Sequence, residues 1–141
     1  MKRVLAAGTF DGIHPGHLKF LQYARKFGQE LGVVVARDQS VRKIKGRTPL
    51  FNEKERLAMV LALKPVDFAF IGSSDWLQSV KKANPETIVL GHDQKKDGKE
   101  ILRFAEKNKL KLKKVVRAPA FDRKRLSGTL MKRKTKVGKT I

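Results

Sequence analysis

Residues 3–20 read RVLAAGTFDGIHPGHLKF, and the fold turns on how this stretch is parsed. Val4 to Ala7 is a short apolar run of the kind that forms a buried strand. Gly8 and Gly12 permit tight turns directly after it. Pro15 suits the first turn of a helix, where its missing N–H costs nothing. From His17 to about Glu30, Leu18, Leu21, Ala24 and Phe27 recur at helical spacing. A strand, a glycine-rich turn and a helix thus follow in order. The turn carries His14 and His17, three residues apart, so they share one face of the first helical turn.

The same alternation runs along the chain. Gly32 precedes VVVA, an apolar strand. FNEKERLAMVLALK has Asn52 as a helix cap and Pro65 as its stop. DFAFIG reads as strand, SDWLQSVKKA as helix, TIVLG as strand, KDGKEILRFAEKN as helix and LKKVVRA as strand, and RLSGTLMKRK could begin a last helix at Ser127. Runs such as Val33 to Ala36 and Ile88 to Leu90 suit strands buried on both faces. Strands separated by helices imply right-handed crossovers. The expected fold is a single α/β domain, Rossmann-like, with a five-stranded, mostly parallel sheet and helices on both faces. Residues 1–131 form the domain, and Lys132 to Ile141 a basic, frayed tail. In such a sheet ligands bind beyond the carboxyl ends of the strands. Gly8 to His17 and Gly91 to Gln94 would open onto that edge.

Composition narrows the function. The chain has 141 residues, 33 Lys plus Arg against 13 acidic residues, and a net charge of +20. A polyanionic partner or a phosphate-rich substrate follows. The absence of cysteine excludes disulfides, zinc–thiolate sites and a thiol nucleophile, and it fits a reducing, cytoplasmic compartment. No apolar run is long enough to span a bilayer, and the apolar start breaks at Asp11, so no membrane partner or leader is expected.

At the start of the first helix, unpaired N–H groups and a partial positive charge favour phosphate. Gly16 allows close approach to the backbone, and the imidazoles can donate to phosphate oxygens. Neither the Walker A pattern nor the G-x-G-x-x-G fingerprint is present, and two histidines without a third ligand make a weak zinc site. The residues suggest direct phosphoryl or nucleotidyl transfer, driven by positioning and charge stabilisation. A solvated loop histidine is the plain alternative.

GTFDGIHPGH resembles the signature of the HxGH nucleotidyltransferase superfamily, with His14, Gly16 and His17 matching the motif itself. ARDQSVRKIKGRTPLFNEKER and VLGHDQ look closest to archaeal-type FAD synthases, which are similar in fold and mechanism to glycerol-3-phosphate cytidylyltransferases. The resemblance implies attack by FMN phosphate on the α-phosphorus of ATP, with pyrophosphate leaving and Mg2+ assisting. It places Thr9, Phe10, Pro15 and Gly16 against the nucleotide, and His14 and His17 on the triphosphate. Lys45 joins the catalytic set. Lys45, Arg47 and, more weakly, Arg56 become candidates for the acceptor phosphate. Asp93 would meet the nucleoside end, Phe121 would lie near the nucleotide, and Ser127 and Thr129 would cradle the β- and γ-phosphates. Metal ligands are not resolved. Gln94 stands where cytidylyltransferases carry tryptophan, and their Arg-Tyr-Gly-Pro-Trp-like segment is missing, which weighs against CMP transfer to glycerol 3-phosphate. Leu126 and Gly128 also depart from the late element of the pattern.

Several residues have simpler readings. Lys43, Lys45 and Arg47 form a basic loop that could cover phosphates, or merely a solvated face. Asp11 suits an Asx-turn, Asp38 a cap, Trp76 the core, His92 a solvated loop, and Arg56 an ion pair with Glu53. The surplus charge also admits a non-catalytic nucleic-acid-binding protein on the same fold, although no aromatic stacking platform is visible. Non-specific nucleic-acid attraction at low salt is expected in either case. Relatives of this size often pair, so a homodimer is to be tested.

Overall fold

The computed structural model describes residues 2–121. Five strands and five helices follow in chain order: β1 (Arg3–Gly8), α1 (Pro15–Arg25), β2 (Glu30–Val35), α2 (Asp38–Lys45), α3 (Glu53–Leu61), β3 (Phe68–Ile71), α4 (Trp76–Ala83), β4 (Thr87–Leu90), α5 (Gly98–Lys107) and β5 (Lys114–Arg117). The strands form one sheet in the order β3-β2-β1-β4-β5, and every pairing is parallel.

Strand alternation sorts the core into two layers. Val4, Ala6, Val33, Val35 and Val89 pack with Leu21 and Ala24 of α1 and Val60 of α3 on one face. Leu5, Ala7, Val34, Ile88 and Leu90 pack with Val80 and Ala83 of α4 and Ile101 of α5 on the other. Each fully buried Val or Leu side chain contributes about 1.5–3 kcal/mol of transfer free energy. Among the described residues helices therefore cover both faces, which leaves the strand ends and loops for ligands.

Three boundaries differ from the sequence expectation. α1 ends at Arg25, not near Glu30, because Glu30 already pairs with Arg3 in the sheet. The chain turns through Gly28, where a Cβ would lie 2.6 Å from the Lys2 carbonyl oxygen. Gly32 lies inside β2 rather than before it, and the Phe68 ring of the neighbouring strand occupies the space a side chain would need. The basic stretch after β2 is a helix through Lys45, not a loop. Asp38 stands in its first turn, Arg42, Lys43 and Lys45 in its last, and Gly46 closes it with φ 69°. Those charges complement the helix dipole, and the glycine takes the left-handed position without a Cβ penalty.

The chain leaves β1 towards β2 and β3 on one side and continues to β4 and β5 on the other. The reversal lies between β1 and β4, so their carboxyl ends flank the crevice typical of open α/β sheets.

Candidate active site

The turn after β1 is shaped by steric exclusion. Phe10 has φ 54°, and its ring is buried. A Cβ at Gly8 would lie 2.8 Å from that ring, so Gly8 must lack one. The Phe10 ring then meets His17 edge-on, with centroids 5.5 Å apart. Phe10 thus acts as a wedge under an imidazole. Gly16 is confined similarly, since a Cβ there would lie 2.8 Å from the His14 ring and 3.2 Å from the Phe121 carbonyl oxygen. The Phe121 ring packs against Tyr23 of α1, 5.6 Å away.

His14 is the N-cap of α1, and His17 is three residues on. The Gly16 N–H donates to His14 Nδ1 at 3.1 Å, and the His14 N–H donates to His17 Nδ1 at 3.2 Å. This is a capping box made from two histidines. The rings stack with centroids 3.9 Å apart. Two stacked imidazolium ions would repel, and burial disfavours either charge. Burial lowers the pKa of His14. Burial, then the charges of His14 and Lys45, push His17 down to about 4. Both rings are thus neutral near pH 7, and an accepting Nδ1 requires the proton to sit on Nε2. Neither Nε2 has a hydrogen-bond partner among the described residues. Two N–H donors are left at a helix start, where a phosphate oxygen also meets the helix dipole.

The segment from α2 to α3 borders this turn. Asp11 does not make the expected local Asx-turn. Its two carboxylate oxygens accept from the N–H groups of Leu50 and Phe51 at 2.7 and 2.9 Å, and Arg47 Nη1 lies 3.5 Å away. Burial alone would raise the Asp11 pKa, but the Phe51 and Leu50 amides and Arg47 outweigh it and hold the carboxyl below its ordinary value. Arg47 is thereby tethered to the histidine turn. Lys45 is exposed in the last turn of α2, and its charge is felt at His17.

Arg56 departs furthest from expectation. It has no exposed surface, and it does not pair with Glu53. Its Nε donates to the Phe51 carbonyl, Nη1 to the carbonyls of Thr9 and Ala36, and Nη2 to Asp38 at 2.8 Å. Glu53 instead accepts from the Asp38 N–H. Asp38 is therefore the counter-ion of a buried guanidinium as well as part of the first turn of α2. Arg56 ties three loops together and is not available to an acceptor phosphate. No sequence pattern distinguishes such an arginine from a surface one.

Across the crevice, Gln94 joins the two strand ends. Its Oε1 accepts from the Gly91 N–H and its Nε2 donates to the Ala7 carbonyl, each at 2.8 Å. Arg117 donates to the carbonyls of Gly91, Gln94 and Lys96. Both roles escaped sequence reading, because the partners lie far along the chain, 87 positions from Gln94 to Ala7 and 21 or more for Arg117. Asp93 and His92 are exposed in this turn. Trp76 packs against the core beneath it, with the Lys96 ammonium 4.9 Å above its ring.

Ser127, Thr129 and the tail from Lys132 to Ile141 lie outside the described residues. Among those described, no three acidic or histidine side chains gather to hold a metal. Asp11, the carboxylate of the histidine turn, is already committed to Leu50, Phe51 and Arg47. The described residues therefore offer no ready-made cage for a metal ion. A divalent cation would belong to the substrate, held by phosphate oxygens and water. No helix among the described residues is long and apolar enough to cross a membrane.

The chain matches the cytidylyltransferase-like family over residues 5–134 and belongs to that family. It is 48% identical over 130 residues to a FAD synthase of Aciduliprofundum boonei, covering 92% of this chain and 86% of that one. It is 52% identical over 110 residues to a FAD synthase of Methanopyrus kandleri, covering 75% and 73%. A crystal structure titled lipopolysaccharide core biosynthesis protein, from Thermoplasma volcanium GSS1, superposes with a TM-score of 0.81 at 41% identity, covering 86% of this chain and 99% of that one.

Proposed function

We propose that this protein is an FMN adenylyltransferase, making FAD and pyrophosphate from ATP and FMN. A phosphate oxygen of FMN attacks the α-phosphorus of ATP. The bond from that phosphorus to the bridging oxygen breaks, and pyrophosphate leaves. Among the described residues the histidine turn offers no thiol and no uncommitted carboxylate as a nucleophile, so the protein contributes placement and charge.

The observation that carries the reading is the histidine capping box. It holds two neutral rings stacked, with both Nδ1 atoms used by backbone and neither Nε2 proton taken by another described residue. Such donors bind a triphosphate and strengthen their bonds as charge grows on the oxygens around the α-phosphorus. Lys45 and Arg47 are the proposed partners of the acceptor phosphate. Thr9, Phe10, Pro15 and Gly16 shape the nucleotide side, with Asp93 at the nucleoside end and Phe121 behind α1. Ser127 and Thr129 are proposed to complete the phosphate cradle. Magnesium, carried on the triphosphate, would neutralise part of its charge. The choice of FMN and ATP over a simple phosphate ester and CTP is supported by the two FAD synthases, about half identical over most of this chain. The proposal places the protein in the cytoplasm; self-association and salt-sensitive attraction to nucleic acid accompany it.

A pyrophosphate-release screen tests it, crossing the four nucleoside triphosphates with FMN, glycerol 3-phosphate and related esters. ATP with FMN is expected to turn over alone, with FAD as product. Preferred turnover of CTP with glycerol 3-phosphate would replace the acceptor and nucleotide named here. Absence of turnover together with steeply salt-dependent RNA binding would replace the enzyme.

A further inference from the structure

Lys45 and Arg47 account for a phosphate, but FMN is mostly a flat, apolar ring system. Among the described residues, the large apolar side chains left exposed are Ile44, Leu50, Met59 and Leu61. Ile44 is 77% and Leu50 74% exposed, well above the other two. Both lie on the segment that carries the two cations, on either side of the Gly46 turn. Ile44 precedes Lys45 directly, and Leu50 follows Arg47 by three positions.

This segment is held in place. Asp11 grips the N–H groups of Leu50 and Phe51, Arg56 grips the Phe51 carbonyl, and Pro49 is buried. The backbone is thus anchored while two aliphatic side chains stand in water. Exposing them forgoes the burial free energy such side chains can supply.

We propose that Ile44 and Leu50 form the apolar subsite for the acceptor's ring system, whose phosphate lies towards Lys45 and Arg47. The inference rests on the FMN reading and names the ring lining that reading lacks. Charge complementarity selects this occupant. A ligand that joins a phosphate to a flat apolar body matches cations bordered by aliphatic side chains, whereas a small phosphate ester leaves them uncovered. A second copy of the chain fits worse. A two-fold interface at this patch would bring Arg42, Lys43, Lys45 and Arg47 of one copy towards the same cations of the other.

The test is FMN binding by fluorescence titration, with riboflavin as a ring that lacks the phosphate. Ile44→Ser and Leu50→Ser are each expected to weaken FMN about 10-fold, the usual scale for a lost apolar contact in a ligand pocket. ATP affinity should move less than about two-fold, within ordinary scatter for an untouched site. Ile44→Leu and Leu50→Met should restore FMN affinity. Riboflavin should compete with FMN in the parent protein and less well in the serine variants. Unchanged FMN affinity in both serine variants overturns the subsite. Equal loss of FMN and ATP with a lowered melting temperature also overturns it, because the residues would then be structural. Loss of self-association with FMN affinity intact assigns the patch to a second copy. A parent protein that makes no FAD sinks the function itself, whereas FAD formation with unaltered FMN binding in the serine variants sinks this inference alone.

Discussion

The two ends of the sheet handle charge in opposite ways. At the amino ends of the strands, Arg3 pairs with Glu30 at 2.5 Å and donates to the Ala83 carbonyl, and the Asn84 side chain accepts from the Lys111 N–H. Arg3, Glu30, Asn84, Glu86 and Lys111 line a cleft of about 260 Å3. At the carboxyl ends, the polar side chains Asp11, Arg56, Gln94 and Arg117 are used to hold loops. The two imidazoles between those loops keep a donor each without a partner among the described residues. A cleft thus lies on the electrostatically settled edge, and the candidate chemistry is on the edge where anchored loops leave donors unused among the described residues. The presence of a cleft is a poor guide to this site. Unspent donors on fixed backbone are a better one.

The comparison breaks most readily at His17. His17→Ala removes one phosphate donor and one half of the capping box. Turnover, read as pyrophosphate release, is expected to fall about 10²–10³-fold, while the melting curve moves by only about 1 kcal/mol. Near-normal turnover would take that ring out of the chemistry.

Arg56→Ala probes the anchoring. Removing a buried guanidinium leaves the Asp38 carboxylate and three carbonyls unpaired, an expected loss of about 3–5 kcal/mol in a denaturant titration. A loss below about 1 kcal/mol, the surface-pair range, would mean that the loops hold without it.

The pH dependence of stability follows from the histidine stack. Unfolded His17 titrates near 6.5 and folded His17 near 4. Between those values the unfolded chain binds more protons. The stack's contribution is thus complete above about pH 6.5 and declines as pH falls towards 4. The loss is on the order of 3 kcal/mol, and His17→Ala should flatten that slope.

Glu30→Gln, at the settled edge, should have the smallest effect. Its partner Arg3 is substantially exposed, so the pair contributes about 1 kcal/mol or less. FAD formation should be unchanged. A large fall in turnover would undo the distinction between the two edges.

Much of this was legible before the structure. Apolar runs announced the strands, and Asn52 signalled the start of α3, where its side chain accepts from the Glu55 N–H as a cap should. α2 was legible in principle: an acidic first turn, a basic last turn and Gly46 are helix signals, but the density of positive charge reads as a solvated loop. The end of α1 was not legible, because sheet pairing at Glu30 overrides helical spacing. In the site, the turn and the histidine spacing were readable. The roles of Asp11, Arg56 and Gln94 were not, since their partners lie 40, 47 and 87 positions away.

By itself, the sequence determined what depends on near neighbours: strand–turn–helix order, glycines where a Cβ would collide, and two imidazoles three residues apart at a helix start. The tertiary structure decided what depends on distant partners. It neutralised the stacked imidazoles by burying them, drew Arg56 inside, and brought the Lys45–Arg47 segment to the histidine turn. Propensity and spacing act over a few residues, whereas desolvation and charge pairing are set by whatever the folded chain brings into contact.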